Sequence, residues 1–117
     1  MAVREVSSHR SFGGTVKVFE HDSYATQTPM KFSVFLPSKE PRPVAIYYLA
    51  GLMGDHLRFF EKTSSALETA SRLGLAFVTP DNSPRDLTFP EFNQKYSYGN
   101  AAGMYINATL PPFAANF

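Results

Sequence analysis

The chain has 117 residues, enough for one modest domain, and its 44% hydrophobic content is ordinary for a globular protein. The formal net charge is +1, with both signs scattered and no basic stripe or acidic tail, so nucleic-acid binding is not expected. Cysteine is absent, which excludes disulfides and a cysteine nucleophile. No apolar segment approaches the length of a membrane span, so we predict a soluble cytoplasmic protein without a membrane partner.

The first half of the chain predicts strands. Residues 3–6 are a weak candidate, whereas residues 7–11 are polar. Residues 16–21 and 30–36 alternate apolar and polar side chains, as strands with one face in the core do. Residues 44–50 form an unbroken apolar run, which is typical of a strand buried on both faces of a parallel sheet. This order predicts a mixed sheet with an antiparallel edge and a parallel interior.

A helix and another strand follow. The spacing of the apolar residues predicts an amphipathic helix over residues 63–73, with its N-cap at Thr63, Ser64 or Ser65. Gly74 suits the position just after the helix, and residues 75–79 read as a short buried strand. Strand 44–50, helix 63–73 and strand 75–79 therefore predict one βαβ unit in an α/β fold.

The loops after the two parallel strands are the first candidates for a functional site. In open α/β sheets, ligands bind beyond the carboxyl ends of the strands. The first loop carries Gly51 and Asp55, and the second carries Asp81, Ser83 and Arg85. These polar side chains either orient a substrate or hydrogen-bond the backbone of their own loop.

The three histidines give no complete catalytic or metal site. No two of them have metal-ligand spacing, so neither a metal nor another cofactor is predicted. The run of His21, Asp22 and Ser23 does not form a triad, because consecutive strand residues point to opposite faces. His21 is expected at the surface, and His56 is the histidine nearest the candidate loop.

Six segments carry a family resemblance: FGG at 12–14, KVFEHDS at 17–23, MKFSVFLP at 30–37, YLAGL at 48–52, PDNSPR at 80–85 and AGMYINAT at 102–109. Together they resemble the N-terminal part of S-formylglutathione hydrolase, also called esterase D, a serine esterase with an α/β-hydrolase fold. The resemblance implies that residues 1–117 are the N-terminal part of a single α/β-hydrolase domain whose nucleophile half is missing.

The resemblance also implies site residues. It places one backbone donor of an oxyanion hole at Leu52, with Met53 as the alternative. Met53, Gly54 and Asp55 stand where the family usually has Thr-Cys-Thr. The substrate-binding residues expected from the loops and the resemblance are Gly51, Asp55, His56, Asp81 and Tyr98. Tyr98 and its aromatic neighbours either line an acyl or glutathione pocket or belong to the core.

The family's nucleophile motif, G-x-S-x-G, is absent from these residues. Gly99 and Gly103 have the glycine spacing, but Ala101 stands in the serine position, so a glycine-rich loop is the preferred interpretation. In the family's strand order, the missing nucleophile strand would lie beside residues 44–50. We therefore expect that apolar edge to be unpaired and to invite another chain, a homodimer included.

Two hypotheses remain. In the first, the intact protein is a serine thioesterase and carboxylesterase that hydrolyses the small thioester S-formylglutathione in formaldehyde detoxification, and this chain alone is inactive. In the second, the chain is a non-catalytic truncated product or a binding module.

Overall fold

The computed structural model describes residues 2–51, 53–62, 64–85, 87, 101, 107–111 and 113–117. Its regular elements in these ranges are β1 (Val3–Ser11), β2 (Gly14–Asp22), β3 (Pro29–Pro37), β4 (Val44–Tyr47), α1 (Arg58–Lys62), α2 (Ser64–Leu73), β5 (Leu75–Pro80) and a 3₁₀ helix (Phe113–Ala115). None of the helices in the described ranges is long and apolar enough to cross a membrane.

The strands form one mixed sheet in the order β1-β2-β3-β5-β4. The pairs β1–β2, β2–β3 and β3–β5 are antiparallel, and β4–β5 is parallel. Gly74 follows α2 with a φ of 69°, a left-handed conformation that glycine adopts without steric cost. The predicted mixed sheet and the predicted β4–α2–β5 unit are therefore confirmed.

The core lies on one face of this sheet. Val16, Phe35, Phe77 and Ile46 stand in register across four strands, and α2 packs Leu67 and Ala70 toward this row. Val16, Phe35 and Ala70 are essentially inaccessible to solvent. The opposite row of side chains is Lys17, Val34, Val78 and Tyr47, and none of these is buried.

The first strand is longer than its sequence pattern predicts. Residues 7–11 continue β1 despite their polarity, and a bulge interrupts the pairing between Glu5 and Ser7. β1 is an exposed edge strand, so no apolar alternation is needed. Its ladder with β2 is flanked by ion pairs of Arg4 with Glu20 at 2.8 Å and of Lys17 with Glu5 at 2.9 Å.

The prediction that residues 44–50 are buried on both faces is wrong. β4 comprises only Val44–Tyr47, and all of its residues are exposed, with Val44 and Tyr47 each 70% accessible. The reason is its position, because β4 is the last strand in the order and pairs only with β5 among the described residues. Among the described residues, the other edge of β4 has no partner strand, and the expectation that it is unpaired stays a prediction.

Helix α1 was not predicted. It places Phe59 in the core, where its ring lies 4.6 Å from that of Phe77 and 4.8 Å from that of Tyr48, between centroids. Asp55 starts the helix, because its carbonyl accepts the Arg58 N–H at 3.2 Å and its carboxylate accepts the Leu57 N–H at 2.9 Å.

Gly14 allows close packing between β2 and β3. A Cβ atom at this position would lie 2.5 Å from the Leu36 carbonyl oxygen and 2.6 Å from the Phe35 ring. We expect Gly14→Ala to lower the free energy of unfolding by about 1–3 kcal/mol, as overpacking does. Urea denaturation measures this, with Gly51→Ala as the control, because no atom lies within 4 Å of that Cβ position. Equal losses in both variants would contradict the packing argument.

The β4 edge has no charged residue to oppose pairing with another strand. We expect Tyr47→Lys to raise, by about tenfold, the concentration at which the chain self-associates in sedimentation velocity. Tyr24→Lys is the control, because Tyr24 is 89% exposed but lies in a turn outside the sheet. If the two lysine variants behave alike, general charge and not the strand edge governs association.

Candidate active site

The parallel pairing of β4 and β5 brings two loops to the same rim of the sheet. The β4 strand leads into residues 48–57, and β5 leads into residues 81–85. β3 begins at this rim because it is antiparallel to β5, and the Asp81 N–H donates to the Lys31 carbonyl at 2.9 Å. The loops that the sequence singled out are therefore neighbours in space.

The first loop makes a tight turn between two glycines. The Gly54 N–H donates to the Gly51 carbonyl at 2.9 Å, and Met53 between them has a φ of 59°. Such a left-handed conformation costs a non-glycine residue about 1–2 kcal/mol. A Cβ at Gly54 would lie 2.5 Å from the Ala50 Cβ, whereas Gly51 is exposed with open space around it.

A buried hydrogen-bonded pair joins this loop to the second one. His56 donates its backbone N–H to Asp81 Oδ1 at 2.9 Å, and its ring Nδ1 lies 2.8 Å from the same oxygen. The two side chains are only 10% and 7% exposed. Arg85 Nε lies 3.8 Å from Asp81 Oδ1 and adds a positive charge nearby.

The environment of Asp81 favours its ionised form. Burial acts to raise the pKa of this carboxyl, but the hydrogen bonds from the His56 side chain and backbone outweigh it, with help from the charges of His56 and Arg85. The net effect lowers the pKa of Asp81 below its ordinary value of 3.8. Asp81 therefore stands in the fold as a carboxylate.

Three further side chains fasten the first loop. The Asn82 side-chain amide donates to the Ala50 carbonyl, Arg85 Nη2 donates to the Gly54 carbonyl at 2.9 Å, and Thr79 Oγ1 donates to the His56 carbonyl at 2.6 Å. Arg85 binds loop backbone, which is one of its two predicted roles, whereas no role was predicted for Asn82 or Thr79. Their position at the end of β5, beside the neighbouring loop, was the available signal.

A cleft of about 400 Å³ opens beside the two loops. The residues that line it are Glu20, Pro29, Lys31, Asp55, His56, Asp81 and Arg85. The cleft thus brings together three of the predicted substrate-binding residues, and its wall carries charges of both signs. No group of three or more histidine, aspartate or glutamate side chains in the described ranges is arranged to hold a metal ion.

Two of the predicted site residues cannot be compared with the cleft. Leu52 and Tyr98 are outside the described residues, so their roles stay predictions. Ala101 is described, and its N–H donates to the Pro84 carbonyl at 2.8 Å.

The histidine at position 21 differs from its expected surface location. His21 is half-buried, with its ring centroid 6.0 Å from that of Phe32. Its neighbours in sequence are engaged separately, because Asp22 pairs with Arg4 at 3.3 Å and Ser23 Oγ accepts the Thr26 N–H at 3.2 Å. These three residues therefore form no triad.

Known proteins resemble this chain along its whole length. The S-formylglutathione hydrolase of Mus musculus is 39% identical over 119 residues, and that of Paracoccus denitrificans (strain Pd 1222) is 38% identical. Each alignment covers all of this chain and 42% of the relative. The chain thus spans about two-fifths of the length of the curated relatives it matches. No family model matches it.

Solved structures agree with the sequence relatives. The S-formylglutathione hydrolase from Agrobacterium tumefaciens superposes with a TM-score of 0.82 at 36% identity, over 96% of this chain and 41% of that one. The chain resembles the N-terminal part of the S-formylglutathione hydrolases. This confirms the resemblance predicted from the six segments, and the fold is that of the N-terminal part of an α/β-hydrolase. A ferulic acid esterase from Anaeromyces mucronatus is more distant, with a TM-score of 0.54 at 27% identity.

Asp81 gives the fold a defined response to acid. Because the pKa of Asp81 is lowered in the folded state, its contribution to stability is full above the ordinary value of 3.8 and disappears as the pH falls through the lower folded pKa. We expect Asp81→Asn to be less stable than the unsubstituted chain at pH 7 and to lose less stability on acidification below about pH 5.

Urea denaturation at a series of pH values measures this difference. Asp22→Asn is the control, because the Asp22 side chain is 67% exposed and lies in a surface ion pair. Parallel acid profiles for Asp81→Asn and the unsubstituted chain would contradict a stabilising buried carboxylate.

Proposed function

We propose that these 117 residues supply the N-terminal part of a serine hydrolase that cleaves S-formylglutathione to glutathione and formate through an acyl-enzyme. The observation that carries the proposal is the similarity of the whole chain, in sequence and in fold, to S-formylglutathione hydrolases. Such an enzyme would act in cytoplasmic formaldehyde detoxification.

The part of the mechanism assigned to this chain is electrostatic. The backbone N–H of Leu52, or of Met53 as the alternative, donates to the negatively charged oxygen of the tetrahedral intermediate. Removal of one such donor from an enzyme raises the activation free energy by about 3 kcal/mol. The turn from Gly51 to Gly54 supports this role, because it is closed by its own hydrogen bond and tied to the neighbouring loop.

The cleft supports a substrate with charges of both signs. Glutathione carries carboxylates and an ammonium group, and the cleft wall carries the ion pair of Lys31 with Glu20 at 3.9 Å, which presents both signs of charge. Gly51, Asp55 and His56 line the approach in this proposal, and Tyr98 supplies an aromatic contact.

The nucleophile in this proposal comes from residues other than these 117. G-x-S-x-G does not occur in them, and Ala101 has no nucleophilic atom. The oxyanion donor therefore acts only when a serine elbow completes the site. We expect no esterase turnover above background from the 117 residues alone.

The exposed β4 edge favours a second candidate function. An apolar strand edge with Tyr47 70% accessible is able to accept another strand, so the chain would act as a non-catalytic binding module or pair as a homodimer.

Reconstitution separates the two functions. The chain is assayed with p-nitrophenyl acetate and with S-formylglutathione, first alone and then mixed with the remaining residues of the mouse relative. We expect turnover only in the mixture, together with a covalent acyl adduct on a serine of the mouse segment, detected by mass spectrometry.

The mouse segment alone and the same segment with that serine replaced by alanine are the controls. Turnover by the isolated chain would refute the division of the site. A folded, stoichiometric mixture without turnover would favour the binding module.

A further inference from the structure

Asp81 lines the cleft, but its carboxylate is largely buried. Its side chain is 7% exposed, and Oδ1 accepts from both the backbone and the ring of His56. We propose that Asp81 is a positioning residue, which acts through His56 to hold the loop bearing the oxyanion donor in its reactive shape. This inference rests on the proposed function of that loop.

The geometry of the contact suits a positioning role. Asp81 Oδ1 accepts a hydrogen bond from the His56 backbone N–H at 2.9 Å and one from the His56 ring Nδ1 at 2.8 Å. Both the position of the His56 backbone and the orientation of its ring are therefore fixed. His56 stands two positions after Gly54, where the turn ends. Thr79 Oγ1 donates to the His56 carbonyl at 2.6 Å and so holds the same residue from a third direction.

Asp81 also reaches the turn by a second route. Arg85 Nε lies 3.8 Å from Asp81 Oδ1. The Nη2 atom of the same guanidinium donates to the Gly54 carbonyl at 2.9 Å. The buried carboxylate therefore holds His56 by hydrogen bonds and lies within ion-pair distance of Arg85, the side chain that holds the end of the turn. Asn82 holds the beginning of the turn at the Ala50 carbonyl.

The turn needs such support because its backbone is strained. Met53 has a φ of 59°, and no glycine stands there to adopt it without cost. A loop released from its contacts would relax toward commoner conformations and carry its N–H groups with it. A displacement of about 1 Å in a reacting geometry is able to cost about 10²-fold in rate.

The first experiment measures loop order and does not depend on activity. Hydrogen exchange is followed for amides of residues 50–57 in the full chain. We expect Asp81→Ala and His56→Ala to speed this exchange at least tenfold while β2 and β3 keep their protection. His56→Asn should recover most of it, because the Asn amide donates from nearly the position of Nδ1.

Val16→Ala is the matched control. Val16 is 1% exposed in the core and makes no contact with Asp81 or His56 in the hydrogen-bond network of the loop, so its truncation should destabilise the whole fold without selecting residues 50–57. His56→Ala keeps the backbone hydrogen bond and so serves if Asp81→Ala does not fold. Unchanged exchange of the loop in a folded His56→Ala chain would overturn the proposal, as would failure of His56→Asn to restore protection.

The second experiment uses the reconstituted hydrolase. We expect Asp81→Ala to lower kcat about 10- to 100-fold at nearly constant KM, because a misplaced oxyanion donor affects the transition state more than substrate binding. A raised KM with unchanged kcat would instead make Asp81 a substrate ligand and overturn the proposal. If the unsubstituted mixture has no turnover, the proposed function fails, and the exchange result still decides whether Asp81 orders the loop.

Discussion

The parallel pairing of β4 with β5 is the constraint on which the candidate site depends. Parallel strands end at the same rim, so the loop after Tyr47 and the loop after Pro80 leave the sheet side by side. The connection between these strands has to cross back over the sheet, and α2 makes this crossing while burying Leu67 and Ala70. The same segment that closes the core therefore also makes the parallel pairing of β4 and β5 possible.

The sheet is well covered on one face and weakly covered on the other. The row containing Phe35 and Phe77 receives both helices, whereas Val34 and Val78 on the opposite face remain partly accessible among the described residues. A sheet of a doubly covered α/β type buries both faces. Among the described residues, helices pack on one face of this sheet and β4 is an edge strand, and the chain matches about two-fifths of the relatives' length.

Sequence pattern predicted the elements that have one buried face, and it failed where periodicity carries no information. β2, β3 and α2 show their buried side as a repeat, but the exposed ladder of β1 needs none. The apolar run at 44–50 was read as doubly buried, because composition does not reveal which strand lies at the edge. The contact of His56 with Asp81 spans 25 residues, and its geometry depends on two loops whose strands must first pair.

The two loops at the rim of the sheet are held together in part by the buried Asp81 carboxylate. Removing a carboxylate from water is costly, and the cost is offset only if hydrogen-bond donors converge on it. Here the donors come from His56, which belongs to the neighbouring loop. The hydrogen bonds that stabilise the Asp81 carboxylate are therefore the same ones that hold the loop in place. The loop that carries Met53, Gly54 and Asp55 is held by Asn82 and Arg85 at the Ala50 and Gly54 carbonyls and by Asp81 at residue 56. Position 54 within the turn leaves no room for a side chain, because a Cβ at Gly54 would lie 2.5 Å from the Ala50 Cβ.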